Sequence, residues 1–462
     1  MQKNVCKLIM LILVFPALMF AQEDSTAVSP SIKINQVVID TTLVLQPISI
    51  KSAVDSAMKN NHAIIIARNN ILIAENNAGL MNSGFLPTLS ANGGLLKKNE
   101  DTYSESSTGA VNDVNGNITD SYNYGIVLNY RLFDGMGRYY NYKKFQSSFT
   151  LEELKSRAII ENTLMNLIIA YYDIAKLTSK LENQRRTMDI SNERHRLISS
   201  KMEFGQAGKL DVLQSEVDMN NDSINFINTN RDLKVARRNF NVLLARDVRT
   251  EFAVDTTVVF SKDIDEDKMM ELASEQNVDY LLALQNVDIA ELSKQASRSG
   301  YIPKVDLNGG YSGSNTESAA GFFPVNERHG YNLGASLSWN LFDGGRTSVQ
   351  IQNAKIAELN AQEQSFNQKN ILEREVSNAY IIYENSLYVM KAEEKNMQTN
   401  QLNFQYSKDK YSLGQINSID YRKAQVDLES SINRYNEAKY LAKVAELKLM
   451  KLAGLFMAEV QF

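Results

Sequence analysis

YNYGIVLNYRLFDGMGR, residues Tyr122–Arg138, joins a strand pattern directly to a long helix pattern, and GYNLGASLSWNLFDGGR, residues Gly330–Arg346, does so again. Both stretches alternate apolar or aromatic residues with polar or small ones, which is typical of a half-exposed β-strand. The segments that follow, 138–204 and 346–413, contain neither glycine nor proline. At about 1.5 Å per residue, each predicts a helix roughly 100 Å long. The sequence therefore predicts an elongated molecule.

The two stretches belong to a duplication of most of the chain. The motif FDG at 133–135 recurs at 342–344, and GFLP at 84–87 recurs as GYIP at 300–303 with a slightly different offset. The number of residues that separates the two copies therefore differs between the two motifs. The extra residues fall between the two strands of each half, where loops tolerate differences in length. Self-similarity of this kind indicates one structural unit used twice.

Each unit is predicted to fold as helix, strand, strand, long helix, tight turn and helix. The first repeat, 22–245, has predicted helices at 50–82, 138–204 and 209–245 and predicted strands at 88–97 and 121–133. The second repeat, 266–454, has predicted helices at 266–299, 346–413 and 417–453 and predicted strands at 304–313 and 330–342. Short β-like lead-ins are predicted at 37–45 and 252–260, a linker occupies 246–265, and 455–462 form a short C-terminal end. A polar loop is predicted from Lys97 to Ser121 because of its turn-forming residues.

The first residues, 1–21, have the features of a secretory signal peptide. Lys3 and Lys7 precede an apolar run at 8–20, and Ala21 is a small residue suited to the cleavage site. The single cysteine, Cys6, lies inside this segment, so the mature chain is predicted to have neither a disulfide nor a reactive thiol. No stretch of about 18 apolar residues follows, which argues against a membrane-spanning helix.

Composition and motifs argue against nucleic-acid binding and against catalysis. The chain has 49 basic and 54 acidic residues and no basic stripe. Its three histidines have no spacing that suits a metal, no nucleophile stands beside a base, and no cofactor is expected. The glycines at 135 and 137 resemble a dinucleotide-binding loop but lack its third glycine. We interpret Asp134, Gly135, Asp343 and Gly344 instead as strand–helix corners, in which the aspartates favour the helix start.

The predicted strands need a partner for their apolar face. Four strands cannot close a membrane barrel, because the smallest closed barrels have about eight. Their length of about 10–12 residues suits a tilted barrel strand, and their aromatic side chains suit a membrane interface. If the strands enter a bilayer, several chains must therefore pool them. The alternative is a pair of hairpins packed on a soluble core.

The order and spacing of these elements resemble the TolC-like outer-membrane efflux protein family over nearly the whole mature chain. The resemblance is carried by the LFDG strand ends, the G-x-x-P strand starts and two tip motifs, FGQAGKLDVLQSE at 204–216 and YSLGQINSIDYRKAQ at 411–425. It implies a mainly α fold with membrane β-structure, in which a homotrimer forms a twelve-stranded β-barrel continuous with a periplasmic α-helical barrel. It also implies a belt of small elements, for which the lead-ins near Val38 and Val254 are the candidates.

The resemblance implies an outer-membrane exit duct of a tripartite efflux or type I secretion system, with a large periplasmic part. The implied partners are a periplasmic adaptor (membrane fusion) protein, an inner-membrane pump and outer-membrane lipid. Conduction would be passive and gated at the helical tips. The cargo stays open among a drug, a metal ion and a secreted protein. The alternative is a soluble periplasmic helical scaffold or adaptor, which would share the long hairpins.

The tips contain the candidate gate residues Asp211, Asp420, Tyr411 and Lys423. Each aspartate follows a turn glycine by a few residues, so it could stabilise a helix start through the macrodipole. The resemblance implies instead a ring of carboxylates at the periplasmic mouth, and the two roles are compatible. It further implies an inter-helix bond from Tyr411. Lys423, three residues after Asp420, is expected to pair with it and partly neutralise it.

The turns themselves are the candidate contact for the adaptor, by the same resemblance. Small or uncharged residues there suit contact between helical tips, and the candidates are Gly205, Gln206, Gly208, Gly414 and Gln415.

Overall fold

The computed structural model describes residues 47–261, 264–320 and 323–461. The first repeat contains β1 (Pro47–Ile48), α1 (Ile50–Asn60), α2 (His62–Ala78), β2 (Thr88–Glu105), β3 (Val111–Phe133), α3 (Gly137–Glu203) and α4 (Lys209–Leu243). The second contains β4 (Ala253–Val254), α5 (Glu266–Gln276), α6 (Val278–Ser297), β5 (Lys304–Ser318), β6 (Val325–Ser338), α7 (Arg346–Ser412) and α8 (Ser418–Leu452), followed by α9 (Phe456–Gln461). The predicted signal peptide and the lead-in predicted at 37–45 lie outside the described residues.

The two long helices, α3 and α7, have 67 residues each and are the longest elements of each repeat. In the first repeat α2 and α4 both pack along α3, and in the second α6 and α8 both pack along α7. Among the helices, α3 makes the main contact between the repeats, because it also packs against α6 and α8. Each repeat is thus a pair of shorter helices laid along one long helix.

The single helices predicted at 50–82 and 266–299 are wrong, because each is interrupted by an asparagine. Asn61 separates α1 from α2, and Asn277 separates α5 from α6. Each has an extended backbone, and its side-chain oxygen accepts hydrogen bonds from the first amides of the next helix. An asparagine in this conformation ends one helix and caps another. Its amide also donates to a carbonyl at the end of the repeat's last helix, Leu243 in one repeat and Leu452 in the other.

Four strands form one antiparallel sheet in the order β2-β3-β5-β6. The polar loop predicted from Lys97 to Ser121 is wrong, since most of it is paired strand and only residues 106–110 connect β2 to β3. This part of β2 and β3 has a polar sequence because both faces of the two strands are largely exposed. Its backbone is nevertheless paired across the strands. The strand predicted at 330–342 instead ends at Ser338, which pairs with Lys304, the first residue of β5. No β5 residue remains to pair with 339–342.

The main hydrophobic core surrounds the middle of α3. Tyr171 is buried there against Phe240 of α4, and its hydroxyl donates to the carbonyl of Ile48 at 2.8 Å. The same oxygen accepts a hydrogen bond from the amide of Asp255 at 2.9 Å. These bonds hold the small parallel pair β1 and β4 against the long helix. The belt candidate near Val254 is therefore β4, whereas Val38 lies outside the described residues.

None of the helices within the described ranges combines the length and the hydropathy that crossing a membrane requires.

Candidate functional site

Two glycine turns end the long helices. Gly205 has φ of 73° and Gly414 has φ of 70°, in the left-handed region that favours glycine. The amide of the next residue returns to a carbonyl five positions earlier, at 2.8 Å for Gln206 and 2.9 Å for Gln415. This hydrogen bond is typical of a Schellman helix end. The chain thereby reverses from α3 into α4 and from α7 into α8, with both glutamines exposed.

The first tip aspartate is a helix cap. Oδ2 of Asp211 accepts a hydrogen bond of 3.0 Å from the amide of Gly208, the N-cap residue immediately before α4. An acid in this position satisfies an unpaired amide and interacts favourably with the helix dipole. The residue is exposed, so the carboxylate also faces water.

The second tip aspartate has a different local role. Asn417 caps α8 by accepting a hydrogen bond of 2.8 Å from the backbone amide of Asp420. Within the described chain the carboxylate of Asp420 makes no hydrogen bond and no ion pair. The expected pairing with Lys423 is not formed in the described chain, and both side chains are exposed.

Tyr411 lies in a stack of aromatic rings that joins three helices. Its ring is parallel to that of Tyr421 in α8, with centroids 4.8 Å apart and an angle of 1° between the planes. The ring of Phe404, two turns before Tyr411 in α7, also stacks on Tyr421, with the ring centroids 5.7 Å apart. The ammonium of Lys201 in α3 lies 5.3 Å from the Tyr411 centroid, a cation–π distance. The inter-helix contact of Tyr411 in this chain is thus made by its ring.

Deeper in the same bundle lies a network of charges that the sequence analysis did not identify. The guanidinium of Arg422 donates to both carboxylate oxygens of Asp222, at 2.7 Å each, and to Oγ of Ser191 at 3.1 Å. Ser191 in turn donates to Asp222 through a short hydrogen bond. Beside them Arg194 donates to Asp218 at 2.5 Å. Because these residues come from α3, α4 and α8, the network ties the two helical hairpins together.

One acid borders this network without an ion-pair partner in the described chain. Burial raises the pKa of Glu429 above the ordinary range, and the nearby carboxylate of Asp222 raises it further. Gln425, one turn earlier in α8, donates to the carbonyl of Thr187 in α3 at 3.0 Å. The spacing of Asp218 and Asp222 one turn apart was a signal that this face of α4 carries paired acids. Nothing in the sequence identified their partners in α3 and α8.

The strand–helix corners lie at the other end of the long helices. Asp134 and Asp343 each accept a hydrogen bond of 2.9 Å at Oδ2 from the amide four residues ahead, in the first turn of α3 or α7. Gly135 and Gly344 have φ of 67° and 70°, which lets the chain turn sharply. A 67-residue helix separates each corner from its tip, so the corners and the gate candidates form two distinct sites.

No group of three or more potential metal ligands comes together in the residues that the structure describes. The tip chemistry consists of exposed carboxylates above an aromatic stack and a buried charge network. Such an arrangement can attract cations and hold helices in a defined packing, and it lacks the convergent groups of a catalytic site.

Comparison with known proteins gives a consistent family. A model of the outer membrane efflux protein family matches residues 53–246 and 269–455. The chain is 21% identical over 412 residues to outer membrane efflux protein BepC of Brucella suis biovar 1 (strain 1330), a match that covers 89% of this chain and 86% of BepC.

Solved structures share the fold. The Campylobacter jejuni CmeC outer membrane channel has a TM-score of 0.73 at 16% identity, over 88% of this chain and 86% of that one. The outer membrane protein VceC of Vibrio cholerae has a TM-score of 0.71 at 14% identity, over 88% of this chain and 96% of that one.

The matched segments include both repeats and account for most of the chain. Members of this family are transport ducts, which confirms the expectation that the chain is not an enzyme. The expected location in the outer membrane, with a periplasmic part, is confirmed as well. The chain belongs to the outer membrane efflux protein family.

Proposed function

We propose that this chain is the outer-membrane exit duct of a tripartite system, formed by three copies that share their sheets in one twelve-stranded β-barrel. The observation that carries the proposal is the four-stranded sheet, whose edge strands β2 and β6 each have one neighbour within the described chain. An unpaired strand edge is a template for pairing with another chain. Leu89 and Leu333 on one face are 71% and 85% exposed, which suits contact with lipid.

The helices support a continuous tunnel below the sheet. α3 and α7 each follow a strand of the sheet directly, through the corners at Asp134 and Asp343. The outer helices of the bundle also expose apolar side chains, among them Ile227 in α4 and Phe366 in α7, at 54% and 63%. In the trimer these surfaces would contact the neighbouring chains, and the helices would enclose a periplasmic passage.

The tips are the proposed gate. Three copies of Asp211 and of Asp420 would place rings of carboxylates at the mouth, where like charges favour a bound cation. Because Asp211 is engaged in capping α4 while Asp420 is not engaged, we assign most of the cation attraction to Asp420. Tyr411 would hold α7 against α8 and α3 in the packed state. Lys423 would lower the net charge of the mouth without pairing to the acid.

The turns are the proposed docking point for a periplasmic adaptor, and an inner-membrane pump would supply the energy for transport. The residues assigned to this contact are Gly205, Gln206, Gly208, Gly414 and Gln415. Photo-cross-linkers at 206 and 415 should capture the adaptor, whereas a cross-linker at 108 in the β2–β3 connection should not. Capture only from 108 would overturn this assignment.

The duct itself is tested in membranes. We expect the protein to fractionate with the outer membrane, to migrate as a trimer until heated, and to conduct ions in a planar bilayer. A soluble periplasmic scaffold, the alternative function, would give a monomer without conductance, and the outer-membrane location of the family already argues against it. A membrane-bound protein that neither forms a trimer nor conducts would overturn the proposal.

A further inference from the structure

The polar face of the sheet carries asparagines that lie across glycines of the neighbouring strand. Four such cross-strand pairs exist, namely Asn92 with Gly125 and Asn123 with Gly94 between β2 and β3, and Asn308 with Gly334 and Asn332 with Gly310 between β5 and β6. A Cβ placed on these glycines would lie 3.3, 2.6, 3.0 and 3.4 Å, respectively, from Oδ1 of the paired asparagine. Each amide therefore lies over the sheet instead of projecting away from it.

These pairs occur at equivalent positions of the two repeats. The asparagine of NGG at 92–94 has its counterpart in NGG at 308–310, and Asn123 has its counterpart in Asn332. Asparagine and glycine are both unfavourable in strands, because one competes with the ladder and the other gains little from packing. Sheet stability therefore does not explain a pattern that appears twice. The surface that the pattern creates is the better explanation.

The surface has no ionisable side chain over three consecutive cross-strand rows, which we call the amide band. Its rows are Thr88, Asn129, Asn308 and Gly334; Ser90, Val127, Gly310 and Asn332; and Asn92, Gly125, Ser312 and Gly330. On the helix side the band is bordered by the ion pair of Arg131 with Asp306, at 2.8 Å. On the other side it is bordered by a row that contains Arg328.

The amide band faces the interior of the duct if the proposed function holds, and the present inference rests on that function. The opposite face carries the exposed leucines, isoleucine and tyrosines that suit lipid, such as Leu89, Ile126 and Tyr331. Side chains alternate between the two faces of a strand, so the amides must then face water and passing cargo.

We propose that the amide band is a charge-neutral wall for cargo, which admits solutes of either charge. The amides lie flat on the sheet and offer hydrogen-bond donors and acceptors to a passing molecule. The glycines beneath them have no side chain, so the surface of the band stays smooth. A neutral wall neither concentrates nor repels ions, unlike the carboxylates at the tips. The preference of the duct for cations or anions is thus determined at the helical tips. The sheet adds no further selection by charge.

Single cysteines test this directly, since the natural Cys6 lies in the predicted signal peptide. Ser90→Cys and Ser312→Cys place a thiol in the amide band of each repeat, and Ala91→Cys places one on the opposite face as the matched control. Trimers in liposomes are treated with a cationic and an anionic methanethiosulfonate reagent. The modification rate of each cysteine by each reagent is divided by the rate at which the same reagent modifies a free thiol. We expect both reagents to modify the Ser90→Cys thiol at normalised rates within about twofold, because its own row and the rows on either side carry no charge. Ser312→Cys lies one row from Arg328 and should favour the anionic reagent. The control thiol should react with neither.

A second variant supplies the charge that the band lacks. Asn92→Asp, added to Ser90→Cys, changes one nitrogen to oxygen two residues away on the same face. It should raise the cationic rate and lower the anionic rate by about threefold each. A strong preference for one sign in Ser90→Cys alone, or no response to Asn92→Asp, would overturn the neutral wall while conductance still showed a duct. Labelling of Ala91→Cys without Ser90→Cys would overturn the assignment of faces, and loss of trimer and conductance in the parent would overturn the duct.

Discussion

Arg422 of α8 binds Asp222 of α4 through two hydrogen bonds of 2.7 Å, across the boundary between the two repeats. The side chain of Asp222 is only 5% exposed and that of Arg422 17%. Removing one member of such a pair leaves the other charge buried without compensation. The pair is therefore one of the contacts near the tips that hold hairpin α7–α8 against hairpin α3–α4, and its loss cannot be compensated by water.

Arg422→Met should loosen this packing strongly. We expect a loss of about 3–5 kcal/mol in local stability, because Asp222 stays buried without its partner. Hydrogen exchange of the amides around Ser191 and Asp222 measures this as a loss of protection. The matched control is Arg186→Met, which removes an ion pair with Glu182 whose side chains are 72% and 64% exposed, and it should cost less than about 1 kcal/mol. Equal effects of the two changes would contradict the role of the buried pair.

Glu429 should make the stability of the same bundle depend on pH. Its pKa is raised in the folded state by burial and then by Asp222. A carboxyl with a raised folded pKa binds more protons when folded, so its contribution to stability falls as pH rises above the unfolded value of about 4.3. Glu429→Gln removes this titration. The melting temperature of the variant should therefore exceed that of the wild type at neutral pH, and the difference should shrink as the medium is acidified towards pH 5 or so. A difference that does not change with pH would contradict the assignment.

Tyr411 should tolerate loss of its hydroxyl but not of its ring. The contacts with Tyr421 and Lys201 use the aromatic face, so Tyr411→Phe preserves the stack. Tyr411→Ala removes an aromatic pair worth about 0.5–1.5 kcal/mol beyond its buried area. Single-channel recording in a planar bilayer should show unchanged closed-state conductance for the phenylalanine variant and a higher one for alanine. If phenylalanine opens the channel as alanine does, a hydrogen bond of the hydroxyl carries the contact instead.

The sequence predicts those features that depend on neighbouring residues. Stretches without glycine or proline mark α3 and α7, and the glycines at 205 and 414 mark the turns, because backbone conformation is locally determined there. The sequence does not predict the helix break at Asn61. An asparagine within a helical pattern caps a new helix only where its own backbone is extended, and the pattern of neighbouring residues does not show that conformation. The pair of Arg422 with Asp222 was missed for a different reason. Its two residues are 200 positions apart, and only the packing of both α4 and α8 against α3 brings them together.

Asn61→Ala and Asn277→Ala should weaken the two repeats alike. Each change removes a helix cap, worth about 1 kcal/mol, and a half-buried hydrogen bond to a backbone carbonyl, worth about 0.5–1.5 kcal/mol. The carbonyls concerned end α4 and α8, so the middle of the molecule should loosen in both variants. The temperature at which the trimer dissociates on a gel measures the loss. His62→Ala, at an exposed neighbouring position, is the control and should leave that temperature unchanged. A loss confined to one repeat would contradict the equivalence of the two breaks.

Asp211→Asn and Asp420→Asn should separate capping from charge at the tips. Asp211 accepts from the amide of Gly208, so Asp211→Asn weakens the start of α4 by about 0.3–1 kcal/mol through the lost charge at the helix dipole. Asp420 also lies in the first turn of its helix, so Asp420→Asn should cost α8 a similar dipole contribution, but it removes no capping bond. Its distinguishing effect should appear in the ratio of cation to anion permeability, which a planar bilayer with a salt gradient measures. We expect that ratio to fall by about twofold or more, because the proposed trimer would lose three exposed charges at its mouth. Lys423→Gln is the opposite control: it removes a positive charge from the tip and should raise the ratio of cation to anion permeability. A permeability ratio that responds to Asp211 and not to Asp420 would reverse the assignment of the gate charge.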